Sequence, residues 1–470
     1  MTTRPTRPTA RRGGHRFRTA AAVLCALAVL PAATAVALEE PPPPTTPAAE
    51  PSSDATPLPA EPSPPDGTPV PAVTPAATVT SPPATTPVPD PDPVPSSSAP
   101  TSAPTSAPTP APTEAKPDAI VTMGDSFLSG EGARWLGNAE GLKNFGGVPQ
   151  ALRDATDRVT ASGLGLDKIY TADCRRSVAA EIVDATATHV NIACSGTEAE
   201  QLSRAVGNSE AQLEQVRKLA VGHTVRTVVL SVGGDDVQLI KTMKACADAW
   251  QNNRYCSTDA AITTPVAERT RTVGDKVVKA VQAVREAVKE SGVTPRIVVQ
   301  SYPLPLATGD PTTTAAHDEN SWDRWSAYGC PFYNRDLSWL GTGAGPALNT
   351  EIKKAAQRAG ADFVDLGRLL EGHQVCGKDP LQTSFAADGT IVRPTAARAE
   401  WARYLPRTRA GLPADEEREL LHPNYYGQRA LGRCLTLVVS KLPTTAVGST
   451  ARCVGAAGQA PDAVTVSYAD

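Results

Sequence analysis

The chain has 470 residues, with 45 lysines and arginines against 49 aspartates and glutamates, so its formal charge is −4. A balance this close to neutral, leaning acidic and with only 4% aromatic residues, lacks the basic stripe with interleaved aromatics that binds phosphate backbones, and nucleic acid is excluded as a partner. Of the 45 prolines, 26 fall within residues 38–116, so a single composition cannot describe the chain.

Residues 1–18 hold six arginines and no acid, and "TAAAVLCALAVLPAATAVAL" follows as an apolar run ending in Ala-x-Ala triplets. This pattern predicts a secretory signal peptide, residues 1–37, cleaved after Ala35 or Ala37. Pro31 and the small residues after it favour cleavage over a retained anchor, and Leu24 before Cys25 argues against lipid modification. Removing the signal leaves 39 basic and 49 acidic residues, a charge of −10.

Residues 38–116 are chiefly Pro, Thr, Ala and Ser, a composition that cannot bury enough apolar surface to offset the entropy of ordering. A semi-rigid, extended linker is expected, with Ser and Thr available for O-glycosylation. Residues 117–442 are long enough for one α/β domain, and residues 443–470 read as a C-terminal tail that Cys453 could staple to it.

Five short apolar runs within the domain suit strands buried on both faces: 119–123, 189–194, 227–232, 296–302 and 362–366. Segments 266–292, 348–361 and 424–442 carry helical periodicity, the first ending at Gly292. The alternation predicts a doubly wound parallel sheet in a three-layer α/β/α sandwich. In such sheets sites form at the carboxyl ends of the strands. The chain places Gly124-Asp125-Ser126 after the first strand, Cys194-Ser195-Gly196-Thr197 after the second and Gly233-Gly234-Asp235-Asp236 after the third, with Glu419-Leu-Leu-His422-Pro-Asn424 before the last helix.

Eight cysteines follow the signal, an even number suited to disulfides in an oxidising compartment. Many pairings are open, and the simplest joins neighbours: Cys174–Cys194, Cys246–Cys256, Cys330–Cys376 and Cys434–Cys453. No Cys-x-x-Cys or Cys/His cluster has ligand spacing, so neither a metal nor any other cofactor is expected.

Across residues 118–442 the four blocks, in this order, resemble the SGNH, or GDSL-type, esterase and lipase superfamily. "GDSFLSGEGA", "CRRS", "ACSG", "CPF" and "LHPNYYGQRAL" are most similar to its secreted, disulfide-bonded branch. The resemblance implies a flavodoxin-like fold with a five-stranded parallel sheet, ester hydrolysis through an acyl-serine, and disulfides between neighbouring cysteines. It implies Ser126 as nucleophile, His422 as its general base, and the Ser126 and Gly196 amides as oxyanion donors.

The chain departs from the family pattern at two positions. The family's third oxyanion donor is an asparagine in a Gly-x-Asn-Asp block, where this chain has Asp235. An ionised carboxylate there would oppose a developing negative charge. Asp235 could be protonated and donate, turn aside, or mark a module that binds without cleaving. The histidine's orienter is usually an aspartate three residues before it; Glu419 occupies that place, with a backbone carbonyl as the alternative.

The expected function is a secreted serine esterase or lipase, monomeric, acting on a lipid ester or acylated glycan near the cell wall. The rival is an inactive module of the same fold that binds cell-wall or extracellular polysaccharide. Trp322, Trp325, Trp339 and Trp401 are expected to pack under loops, while His317 and His373 have no partner motif. "LPTTA" (442–446) resembles a sortase signal but reads as a helix end.

Overall fold

The computed structural model describes residues 115–138, 169–181, 183, 186–386, 390–406 and 414–469. The expected signal peptide and nearly all of the linker lie outside the described residues.

The five apolar runs form strands β1 (Asp118–Gly124), β2 (Thr188–Asn191), β3 (Thr224–Ser231), β4 (Arg296–Gln300) and β5 (Asp362–Arg368). They are parallel and lie side by side in the order β5-β4-β3-β1-β2. The sheet does not stop there. Beyond Leu442, where the sequence reading closed the domain, β6 (Thr450–Val454) pairs parallel to β5, and β7 (Thr465–Ala469) pairs antiparallel to β6. Among the described residues the sheet therefore has seven strands rather than the five expected, and residues 450–469 belong to it instead of forming a separate tail. Each added strand has five residues; β6 buries Ala451 and Cys453, and β7 alternates exposed and half-buried positions, the pattern of strands with one face toward the core. Leu442–Thr444 is a single 3₁₀ turn that ends the last helix.

The helices follow from local sequence. In α5 (Ala260–Ala287) the Asp259 side chain accepts from the Ala261 amide at 2.9 Å, so the helix starts six residues before the expected 266. It continues past Pro265 and buries Val266, Val273, Val277, Val281 and Val284 along one stripe. Helix α6 (Gly345–Arg358) packs against α5 and β5. Helix α8 (Tyr425–Lys441) is capped by the Asn424 side chain, which accepts from the Tyr426 and Gly427 amides at 3.0 and 3.2 Å. Among the described residues, no helix is long and apolar enough to cross a membrane.

The four disulfides join the neighbouring cysteines as expected. Cys434–Cys453 connects α8 to β6, which ties the added strands to the rest of the sheet. Trp325 and Trp401 are buried, whereas Trp322 is 46% exposed beside Trp250 and Trp325. His373 stacks on Trp401 and both its ring nitrogens lie 3.0 Å from backbone carbonyls of Ala399 and Ala456, a structural role. His317 stacks on Tyr328.

Candidate active site

At the end of β1 the backbone of Gly124 runs so close to β3 that a Cβ would sit 1.9 Å from the Ser231 carbonyl oxygen, and its φ is +132°. Only glycine fits there. The chain then turns: Asp125 accepts from the Phe127 amide at 3.1 Å, and Ser126 begins the short helix α1 (Ser126–Ser129). Ser126 is held in place by the strand end beneath it.

His422 arrives from the other end of the domain. The segment around it lies against residues 401–403: the Leu421 amide donates to the Arg403 carbonyl, the Arg403 amide to the His422 carbonyl, and the Asn424 amide to the Trp401 carbonyl, at 2.9–3.0 Å. Leu421 takes φ +65°, a left-handed conformation that turns the next side chain inward. The His422 Nε2 atom is 2.8 Å from Ser126 Oγ, although 296 positions separate the residues. Its Nδ1 lies 3.2 Å from the Leu420 carbonyl oxygen, which can only accept. Nδ1 therefore carries the proton and Nε2 offers its lone pair to the serine hydroxyl. Burial lowers the imidazole's pKa from its ordinary value against the opposing charge of Glu131, so the ring is neutral around pH 7.

The expected contact between Glu419 and the His422 ring is not among the hydrogen bonds of the described residues. Its carboxylate accepts from Trp135 Nε1 at 2.6 Å and Arg175 Nη2 at 2.8 Å, and pairs with Arg134 Nε at 2.8 Å. Three donors crowd it away from the imidazole, and the Leu420 carbonyl takes the orienting place. Burial raises the Glu419 carboxyl above its ordinary value while Arg134, Trp135 and Arg175 oppose the rise. The sequence reading missed Trp135, Arg134 and Arg175, which reach Glu419 from segments more than 240 positions away.

The second block lies alongside. The Cys174–Cys194 disulfide holds the Ser195 amide 3.1 Å from the Cys174 carbonyl. Gly196 is exposed with φ +82°, and a Cβ on it would meet no atom within 4 Å. No acceptor among the described residues takes the amide hydrogens of Ser126 or Gly196. Ser195 Oγ donates to Glu131, whose other carboxylate oxygen pairs with Arg175 at 3.0 Å. Glu131 stands in the quoted "GEGA" and Arg175 in "CRRS", yet nothing local marked either as part of this network.

Asp235 opens the short helix α3 (Gly234–Val237) after β3. Its neighbour Asp236 accepts from the Ala199 amide and from Lys276 Nζ, both at 2.8 Å. Asp235 has no such partners: its Oδ2 is buried and unbonded. Among the described residues no group of three or more His, Cys, Asp or Glu side chains could hold a metal ion. A cavity of about 880 Å³ lies along β5 and β6 and includes none of these site residues.

No protein-family model matches the chain, and neither does any curated protein. Among solved structures it is similar to an extracellular lipase from Streptomyces rimosus, with 17% identity over 68% of this chain and 98% of that one and a TM-score of 0.41. A phospholipase A1 from Streptomyces albidoflavus NA297 gives 18% identity, 69% and 99% coverage and a TM-score of 0.41. An aryl esterase from M. smegmatis gives 15% identity, 69% and 99% coverage and a TM-score of 0.28.

Proposed function

We propose that the chain is a secreted serine esterase of the SGNH type with a flavodoxin-like α/β/α core. The observation that carries this reading is the 2.8 Å contact between Ser126 Oγ and His422 Nε2.

Ser126 Oγ attacks the acyl carbonyl carbon while its proton passes to His422 Nε2. The carbonyl oxygen becomes an oxyanion, met by the Ser126 and Gly196 amides. As the intermediate collapses, the bond to the alcohol oxygen breaks and His422 returns its proton to that leaving oxygen. Water, deprotonated by the same imidazole, then attacks the acyl-serine and releases the acid and the free hydroxyl. The Leu420 carbonyl keeps Nδ1–H in place throughout and stabilises the imidazolium when it forms.

The disulfides suit the oxidising compartment that a signal peptide over residues 1–37 would reach. The Pro-rich linker over 38–116 would let the domain, as a monomer, reach a lipid ester or acylated glycan near the wall. The rival reading, a polysaccharide-binding module without turnover, is motivated by Asp235 in the third block and by the exposed Trp322.

Hydrolysis of p-nitrophenyl acetate and butyrate by the purified chain separates the two. Ser126→Ala is expected to lower kcat by about 10⁴-fold or more. Equal rates for the variant and the parent chain would end the esterase reading.

A further inference from the structure

We propose that Asp235 works as a neutral carboxylic acid, its hydroxyl serving as the third oxyanion donor beside the Ser126 and Gly196 amides, so that the site is active only while that proton is in place. This inference rests on the serine-esterase reading above and adds to it a donor of a different chemical kind and a switch.

The placement comes from three contacts that draw the strand-end blocks together. The Gly234 amide donates to Tyr302 Oη at 2.7 Å, and the Tyr302 hydroxyl donates to Asp125 Oδ2. One phenol thus links the residue before Asp235 to the residue before Ser126. On the other side, Asp236 holds the Ala199 amide, three residues beyond Gly196. Asp235 lies between these two ties, after a strand whose Ser231 is in register with Gly124.

Among the described residues, the charged groups that act most on Asp235 are acids. Glu131 faces it from the loop after α1, Glu198 from the segment after Gly196, and Asp236 from its own helix. Asp235 in turn acts on Asp125 and Tyr302, just beyond the ends of β1 and β4, and raises the pKa of both groups. Cations answer two of these acids: Lys276 from α5 pairs with Asp236, and Arg175 pairs with Glu131. Neither pairs with Asp235, whose buried Oδ2 has no donor among the described residues. A carboxylate with a dry, unbonded oxygen among other acids is costly, and protonation removes the charge that makes it so. Burial first, then Glu131, Asp236 and Glu198, push the Asp235 carboxyl up to about 7.

In the neutral form the hydroxyl can donate where the related enzymes have an amide. The hydrogen bond tightens as the oxyanion forms and relaxes as it collapses, with no net transfer of the Asp235 proton. Because burial lowers the pKa of His422, its base form is present under the same mildly acidic conditions. The working window runs from the lowered His422 pKa up to about 7, where ionised Asp235 begins to repel the oxyanion.

The test is kcat/KM for p-nitrophenyl butyrate from pH 5 to 9 with the parent chain, Asp235→Asn, Asp235→Ala and Ser126→Ala. The parent rate is expected to fall about tenfold per pH unit above about pH 7, along a single-ionisation limb. Asp235→Asn, of the same shape, should keep the acid-side rate and lose that limb. Asp235→Ala should lose about 10²- to 10³-fold at pH 6. A limb unchanged in Asp235→Asn, or a full rate in Asp235→Ala, would overturn the proposal while leaving the esterase intact. A parent chain no faster than Ser126→Ala at any pH would instead remove the esterase reading, and this inference with it. Asp235→Asn alone decides the question if the alanine variant does not fold.

Discussion

Glu419 and Asp235 are both acids beside the Ser126–His422 pair, and their surroundings are opposite. Glu419 is 1% exposed and met by two guanidinium groups and an indole, all donors. Asp235 is met by Glu131, Asp236 and Glu198, none of them a donor when ionised, and one of its oxygens is unbonded. In the first setting the donors oppose the rise in pKa that burial causes and lock chain segments together; in the second the neighbours add to that rise and favour a carboxyl that keeps its proton. The same chemical group therefore becomes a brace in one place and a titrating device in the other, and neighbours decide which.

Three perturbations break or sharpen this contrast. The largest effect is expected from removing the Cys174–Cys194 disulfide, because Arg175 on the Glu419 side and Ser195 on the Asp235 side both adjoin it. Replacing both cysteines by alanine should cost about 3 kcal/mol in denaturant unfolding, from the 20-residue separation it closes, and should loosen both settings together. Unchanged stability would mean the network alone holds the two blocks.

Next comes Glu419→Ala, expected to cost about 2–3 kcal/mol of stability. The loss stays below that of a fully stranded charge because Arg134 keeps Asp415 and Arg175 keeps Glu131. The kcat of the folded variant should change by less than about tenfold, since the Leu420 carbonyl orients His422. A fall of about 10⁴-fold at unchanged stability would reverse that assignment and make Glu419 the orienter.

The smallest effect belongs to Glu131→Gln. Removing this negative charge eases the pressure on Asp235 to stay protonated, so the alkaline limb should move to lower pH by less than about one unit. A shift toward higher pH would show that Glu131 does not act on Asp235 through its charge.

Much of the architecture was legible because it is encoded locally. Five runs of β-branched residues mark the parallel strands, Gly124 marks a close approach at a strand end, and Asn424 marks a helix start. Strands β6 and β7 were not legible: each is five residues long in a Gly- and Ala-rich tail, and such alternation gains meaning only when a sheet edge is there to receive it. Helix α5 was placed too late because its capping aspartate precedes a stretch of Ala, Thr and Pro with weak periodicity.

The sequence by itself determined which residues could do chemistry and in what order along the chain they arrive at strand ends, since turn types and strand patterns depend on near neighbours. Only the tertiary structure decided what each acid faces. Arg175 lies 244 positions from Glu419, Tyr302 lies 177 from Asp125, and Lys276 lies 40 from Asp236. A carboxyl's protonation is set by burial and by charges a few ångströms away in space, and no local pattern carries that information.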